Sequence, residues 1–193
     1  MKDFSLSLPP DTLNQGDALL IVDVQNDFCP GGALPVKEGH RVVPVINHWI
    51  EAATQKEIPI YASRDWHPMG HISFQESGGP WPSHCVQDTD GARLHPGLRL
   101  PATTVMVTKG VRFDQDQNSA FDQTGLAERL RRDDVQRLWV AGLAEDVCVL
   151  ATVLDGRKQG WEVMLIGAAT RSITPESGER ARLRMRDAGV VIV

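Results

Sequence analysis

The sequence has few of the features that define several large classes of protein. It contains only three cysteines, at the irregular positions Cys29, Cys85 and Cys148. An odd number of scattered cysteines excludes a disulfide framework and suits a reducing compartment, so we expect a cytoplasmic protein. No apolar run approaches the about 18 residues that a membrane span requires. Pro9 and Pro10 interrupt the N-terminus before any apolar stretch typical of a signal peptide.

An excess of basic charge is also absent. The 20 Lys and Arg residues against 25 Asp and Glu residues give a net charge of −5. Because phosphates and anionic lipids attract basic surfaces, we expect neither nucleic acid nor a membrane as a partner. The apolar fraction of 41% is too high, and the net charge too small, for a disordered chain. At 193 residues the chain is long enough for one globular domain with a sizeable core.

Six apolar runs of strand length recur along the chain, and they are continuous, as in strands that are buried on both faces. Helical patterns lie between them, such as the stripe of Val43, Ile46 and Ile50. We predict Asp146 as one helix N-cap and Thr174 as another, the latter followed by a proline. This alternation predicts a single α/β domain with a mainly parallel six-stranded sheet and helices on both faces. The predicted strands are residues 18–22, 58–62, 104–108, 138–141, 163–166 and 190–193, in a domain of residues 18–193 that follows an N-terminal arm of residues 1–17.

Chemically active side chains follow four of these runs. Asp23 comes after the first run, Asp65 and His67 after the second, Lys109 after the third and Cys148 after the fourth. In an open α/β sheet, ligands bind beyond the carboxyl ends of the strands. We therefore expect a carboxylate, a carboxylate–imidazole pair, an amine and a thiol at one rim of the sheet.

Three of these residues form a candidate catalytic triad. Cys148 is expected near the second position of its helix, where the helix dipole stabilises a thiolate. Taken singly, Cys148 is more typical of a small buried hydrophobe, Asp23 of a loop residue and Lys109 of a surface lysine. Together they supply a nucleophile, a proton acceptor and a cation that lowers the pKa of the thiol. We predict that Cys29 and Cys85 take no part.

A second group of residues indicates a metal site. Asp65, His67, His71 and His84 place one carboxylate and three imidazoles within one loop segment. Mixed nitrogen and oxygen ligands without cysteine suit one divalent transition metal, Zn, Fe or Mn, with open or water-filled positions. A single loop histidine more often caps a turn, so the prediction depends on the set. We predict Asp65, His67 and His84 as ligands, and His71 as either a fourth ligand or a neighbour of the ligands.

Two aromatic residues lie in the longest irregular stretches, residues 28–40 and 65–99. Loops of that length in a compact domain are usually functional. Phe28 and Trp81 would singly be expected to pack against the edge of the sheet. Near a thiol and a metal, they could hold a flat ring between them.

At these residues the sequence resembles the nicotinamidase branch of the isochorismatase-like cysteine hydrolases, from about Ala18 to the C-terminus. The Asp, Lys and Cys at the strand ends are typical of the whole superfamily. The Asp-x-His pair and the Trp-Pro-x-His segment are more specific, because other branches generally lack that metal site. The matching segments are residues 23–28, 65–68 with His71, 81–86, 109–110, 118–121 and 142–149.

The resemblance implies a role for each residue of the triad. Cys148 is the nucleophile, Asp23 accepts and returns a proton, and Lys109 supplies the charge that holds both. The backbone N–H groups of Ala144 and Cys148 form the oxyanion hole, and the family places a cis peptide bond before that alanine. One departure is Glu145, where the family usually has threonine, which adds a carboxylate close to the nucleophile.

The resemblance also implies the ligands and the activity. Asp65, His67 and His84 bind the metal, His71 joins them, and the aromatic pair flanks a pyridine ring. The implied reaction is hydrolysis of nicotinamide, and also of pyrazinamide, through a cysteine thioester, which suits NAD salvage. A homo-oligomer is compatible with the sequence.

Two other functions stay open at this point. The first is another hydrolase of the superfamily, acting on a ureido acid, a carbamoyl amino acid or isochorismate. The predicted metal ligands argue against it. The second is a catalytically silent metal-binding scaffold, and the complete triad argues against that.

Overall fold

A computed structural model of the protein describes residues 12–193. Its centre is a six-stranded sheet in the order β3-β2-β1-β4-β5-β6, in which every pair of neighbouring strands is parallel. The strands are β1 (Asp17–Val22), β2 (Ile60–Asp65), β3 (Val105–Lys109), β4 (Arg137–Leu143), β5 (Glu162–Arg171) and β6 (Val191–Ile192). The helices are α1 (Val42–Gln55), α2 (Leu126–Arg132), α3 (Leu150–Lys158) and α4 (Pro175–Asp187). The predicted fold class is confirmed.

Two hydrophobic cores lie on the two faces of the sheet. Side chains of a strand alternate between its faces, so Leu19 and Ile21 of β1 belong to the core that contains Ile46 of α1. Leu20, between them in β1, belongs to the other core, which includes Met185 of α4. Helices therefore cover both faces, which explains why the strand sequences are apolar without alternation.

The segment after β4 differs from the prediction. We predicted Asp146 as the N-cap of a helix, and this is wrong. One turn of π-helix, Glu145–Val149, precedes α3, and Ala144 occupies the N-cap position. The Asp146 carboxylate instead accepts hydrogen bonds from the backbone N–H of Ile173, at 3.0 Å, and from the hydroxyl of Ser177 at the start of α4. We call Glu145–Val149 the π-turn.

The N-terminal end of the domain is well packed where the structure describes it. Of the predicted arm, residues 1–11 lie outside the described residues, and residues 12–17 lead directly into β1. Leu13 is buried in the core, and Asp17 is the first residue of β1, where it pairs with Arg137 at 2.8 Å. Across residues 12–193, no helix combines the length and apolar character needed to cross a membrane.

The carboxyl ends of β3, β2, β1 and β4, which are consecutive neighbours in the sheet, form one rim. The long connection from β2 to β3, residues 66–104, is largely irregular, but single bridges fix it, between His67 and Val86 and between Phe74 and Trp81. This connection brings the segment around His84 back to the end of β2. The rim and the connection together form the candidate site.

Candidate active site

The ammonium group of Lys109 lies between the other two residues of the predicted triad. Its Nζ is 2.8 Å from Oδ2 of Asp23 and 3.5 Å from Sγ of Cys148. Asp23 follows β1, Lys109 ends β3, and Cys148 lies in the π-turn after β4. All three side chains are buried. The structure therefore brings together three residues that are far apart in the sequence.

Burial and mutual charge set the protonation states of the triad. Burial raises the pKa of Asp23, although the neighbouring Lys109 opposes the shift. Burial alone would lower the pKa of Lys109, but the carboxylates of Asp23 and Asp65 raise it well above its usual value. Lys109 is therefore a permanent cation that stabilises negative charge on its neighbours.

The thiol of Cys148 differs from the prediction in two respects. Cys148 is the fourth residue of the π-turn and not the second residue of a helix. Burial raises the pKa of Cys148 well above its usual value, even though Lys109 acts in the opposite direction. The free thiol is thus protonated, and a base must remove its proton before it can react. A carboxylate oxygen of Asp23 lies within 4.8 Å of Sγ, which makes Asp23 a candidate for that base.

Ser63 is a site residue that the sequence analysis missed. Its hydroxyl donates a 2.7 Å hydrogen bond to Oδ1 of Asp23, which orients the carboxylate. Ser63 and Asp65 are two positions apart in β2 and therefore lie on the same face of the strand. Because side chains two residues apart in a strand share a face, counting back from Asp65 would have indicated Ser63.

Three of the predicted metal ligands form one cluster. The ligand atoms of Asp65, His67 and His84 all lie within 4.8 Å of one another. Nδ1 of His67 donates to the carbonyl of Gly110 at 3.0 Å, and Nδ1 of His84 donates to the carbonyl of Pro82 at 2.8 Å. These bonds leave the Nε2 atoms unprotonated and available to a metal.

The chemistry of this donor set fits a divalent transition metal. Burial, with the nearby His84 and His71, lowers the pKa of His67 to about 3, so its imidazole is neutral as a metal ligand must be. Oδ1 of Asp65 faces Lys109 at 2.5 Å, whereas its Oδ2 lies 3.7 Å from Nε2 of His67. One oxygen of Asp65 therefore contacts Lys109 of the triad, and the other faces the histidines of the cluster.

A glycine makes room for one ligand. Gly110 follows Lys109 with a φ of +69°, and a Cβ atom there would lie 2.5 Å from Cε1 of His67. Any side chain at this position would displace the imidazole ring.

His71 lies beside the cluster. Its ring stacks on that of His67 with centroids 4.2 Å apart. Its Nδ1 is 2.7 Å from the hydroxyl of Ser73, and its Nε2 is 3.2 Å from the carbonyl oxygen of Gln115. Both ring nitrogens thus have protein partners, in contrast to the Nε2 atoms of the other two histidines.

Two polar side chains after β1 hold the surrounding loops, and the sequence analysis assigned them no role. The amide of Gln25 forms 2.8 Å hydrogen bonds with the backbone N–H and the backbone carbonyl of Asp65. The Asp27 carboxylate accepts from the backbone N–H of Cys85, next to His84, at 2.7 Å. The end of β1 thereby supports both halves of the metal cluster.

Cys148 of the triad and all three residues of the cluster line one cavity. Phe28 and Trp81, the aromatic pair of the prediction, both line it, and so does Ala144. The peptide bond between Leu143 and Ala144 is cis. Other lining residues were not assigned to the site from the sequence, including Leu34, Val36, Asp116, Asn118 and Ile173.

Asn118 lies close to the nucleophile. Its Oδ1 lies 4.0 Å from Sγ of Cys148. Glu145, by contrast, is turned away from the cavity. Its carboxylate pairs with Arg182 of α4 at 2.7 Å, so the extra carboxylate does not face the thiol.

Comparison with known proteins defines the class. Residues 17–193 match the family model of the Isochorismatase domain, and the chain belongs to this family. The nicotinamidase of Escherichia coli (strain K12) is 38% identical over 91% of this chain and 93% of its own length. The pyrazinamidase of Pyrococcus horikoshii, solved in complex with zinc, is 46% identical with a TM-score of 0.90, over 92% of this chain and 98% of that chain. PnC1 from L. infantum, solved in complex with nicotinate, is 39% identical with a TM-score of 0.85, over 92% of this chain and 91% of that chain.

Proposed function

We propose that the protein is an amide hydrolase that converts nicotinamide to nicotinate and ammonia, and that it also accepts pyrazinamide. One observation carries this proposal: the thiol residue Cys148 and the cluster of Asp65, His67 and His84 line the same cavity. Nicotinamide carries a carboxamide and a ring nitrogen at a fixed separation, and such a cavity can engage both. The names of the similar proteins support the same substrate class.

The first half of the reaction acylates the enzyme. Asp23 takes the thiol proton of Cys148, and the thiolate attacks the carboxamide carbon. The carbonyl oxygen becomes an oxyanion that the N–H groups of Ala144 and Cys148 stabilise, and each such donor contributes about 3 kcal/mol. The C–N bond then breaks, Asp23 returns its proton to the leaving ammonia, and a thioester remains on Sγ.

The second half releases the acid. Asp23, again unprotonated, takes a proton from a water molecule that attacks the thioester carbon. The same oxyanion hole holds the second tetrahedral intermediate. Its collapse expels the thiolate of Cys148, which regains the proton from Asp23. Lys109 keeps its charge throughout and stabilises whichever of the two neighbours is anionic.

The remaining site residues bind and orient the substrate. Phe28 and Trp81 flank the pyridine ring. Asp65, His67 and His84 would hold one divalent transition metal, which when bound supplies a Lewis-acid anchor for the ring nitrogen. We place His71 outside the ligand set, as a residue that supports the ring of His67.

The side chains that line the cavity favour this function over those of the other hydrolases of the superfamily. Ureido acids, carbamoyl amino acids and isochorismate all carry carboxylates. Among the described residues, those that line the cavity include the acids Asp65 and Asp116 but no Lys or Arg. The nearby Lys109 is already neutralised by two carboxylates. No basic side chain of this lining therefore offers a partner to the carboxylate of such a substrate.

The test is a comparison of substrates on one metal-loaded preparation. We expect ammonia from nicotinamide and pyrazinamide, and none above background from an N-carbamoyl amino acid or a ureido acid. Ammonia from only the carbamoyl or ureido substrates would replace the proposed function with its alternative. A cytoplasmic location stays a prediction, which the three free thiols support.

A further inference from the structure

Behind the nucleophile, the buried Glu145 forms an ion pair with Arg182, whose side chain is partly exposed. Glu145 is only 2% exposed and directly follows Ala144 in the chain. Nε of Arg182 donates to Oε1 at 2.7 Å, and Nη2 donates to Oε2 at 2.8 Å, so the pair is bidentate. Such a fork fixes orientation as well as distance, which a single hydrogen bond does not.

The pair lies outside the catalytic cavity. Glu145 and Arg182 line a separate cleft with Thr170, Ser172 and Gly178, and this cleft shares no lining residue with the cavity of Cys148. Neither side chain can therefore touch a substrate in that cavity. Any effect of the pair on the reaction must pass through the π-turn.

The π-turn contains the thiol of Cys148 and directly follows Ala144, so it fixes the positions of both the nucleophile and the oxyanion donors. It begins after Ala144, whose carbonyl accepts from the N–H groups of Val147 and Val149, and it contains Cys148. A π-helical turn is uncommon, and it is frequently found at functional sites. Contacts between this turn and other elements of the fold consequently help to define where the thiol and the oxyanion donors lie.

Two consecutive acids attach the turn to the same helix. The Glu145 carboxylate binds Arg182 in the body of α4, whereas the Asp146 carboxylate binds the backbone N–H of Ile173 and the hydroxyl of Ser177 at its start. Arg182 also reaches the carbonyl of Gly167 in β5, at 3.5 Å. The arginine thus connects the turn to both the helix and the sheet.

We propose that Glu145 and Arg182 are positioning residues that hold the π-turn in register with Lys109 and Asp23. This inference rests on the proposed function, since it concerns the oxyanion donors and the thiol of that reaction. Misplacement of reacting groups by about 1 Å can cost on the order of 10²-fold in rate. The substrate ring is held by other elements, so its binding should change little.

The experiment compares Arg182→Gln and Glu145→Gln with the exposed α4 variants Arg184→Gln and Glu176→Gln as matched controls. We expect kcat for nicotinamide to fall by about 10- to 100-fold in the first two variants. KM should stay within about threefold, because binding energy common to substrate and transition state is retained. Arg182→Lys keeps the charge but not the fork, and its kcat should fall between those of wild type and Arg182→Gln.

Melting temperatures and metal content are measured on every variant, and kinetics are run well below the lowest melting temperature. A kcat equal to that of the controls would overturn the proposal, as would a rise in KM that accounts for the whole loss of kcat/KM. If Arg182→Gln does not fold, Arg182→Lys and Glu145→Gln decide by the same criteria.

A second readout separates this inference from the proposed function. The rate at which iodoacetamide alkylates Cys148, followed by mass spectrometry, reports the placement of the thiol without any substrate. If wild type released no ammonia from nicotinamide, the proposed function would fail, and the alkylation rate would decide the inference. A slower rate in Arg182→Gln than in Arg184→Gln would support positioning, and equal rates would overturn it.

Discussion

Lys109 and Asp65 are joined by a contact of 2.5 Å between Nζ and Oδ1, and this contact links the catalytic triad to the metal cluster. Lys109 also pairs with Asp23, so two buried carboxylates share one cation. An uncompensated buried charge is costly. Loss of the charge on Asp65 would therefore change the charge balance of the triad as well as that of the metal cluster.

Asp65→Asn tests this link, because asparagine keeps the size of the side chain but removes its charge. We expect metal affinity to fall at least about tenfold, and kcat to stay below that of wild type even at saturating metal, because Lys109 has lost one partner. Elemental analysis and kinetics over a metal titration measure the two effects. Full recovery of kcat at saturating metal would show that the two sites are independent.

The three histidines should differ in their effect on metal binding. We expect His67→Ala and His84→Ala to lose bound metal, since each removes one of few ligands. His71→Ala should retain it, because both nitrogens of His71 already have protein partners. Metal content of the purified variants, beside that of wild type, measures the difference. A metal-free His71→Ala variant would add His71 to the ligand set.

Asp23 should be essential for proton transfer. Asp23→Asn keeps the shape of the side chain but cannot accept the thiol proton, so kcat should fall by at least about 10²-fold. Ser63→Ala removes only the hydrogen bond that orients the Asp23 carboxylate. Its kcat should therefore fall less than that of Asp23→Asn. A near-normal kcat in Asp23→Asn would assign the base role to another group.

The position of the ring nitrogen should control substrate choice. Nicotinamide and pyrazinamide place a nitrogen meta to the carboxamide, whereas benzamide has none and isonicotinamide and picolinamide have it elsewhere. Loss of a polar group that a site is built to pair can cost on the order of 10⁴ in kcat/KM. We expect the first two amides to react far faster than the other three. Equal kcat/KM for benzamide and nicotinamide would contradict anchoring of the ring.

Much of the fold could be predicted from the strands alone. Their apolar runs and the helices between them indicated the sheet, and the residues that follow them indicated Asp23, Lys109 and Cys148. The ends of the strands were less predictable. β2 continues through Ser63 and Arg64 to Asp65. Because these last three residues of the strand are polar, the apolar pattern did not include them. The order of the strands depends on long-range pairing that no local pattern contains.

The details of the site depended on tertiary contacts. Asp146 has the side chain of an N-cap, but it binds the start of α4 instead. The carboxylate of Glu145 was expected close to the nucleophile, but it pairs with Arg182, which lies on a helix distant in the sequence. The metal cluster requires the connection after β2 to fold back on itself, which the spacing of its histidines does not specify.

Ammonia release from nicotinamide by wild type and by Cys148→Ala, each loaded with metal, tests the central claim most directly. Cys148 is the thiol that lines the cavity, whereas the structure buries Cys29 and Cys85 away from it. We expect wild type to release ammonia and nicotinate in equal amounts. The variant should bind metal normally and lose at least about 10⁴-fold in kcat, as expected when a nucleophile is removed. Turnover of nicotinamide by Cys148→Ala at a rate near that of wild type would contradict the account.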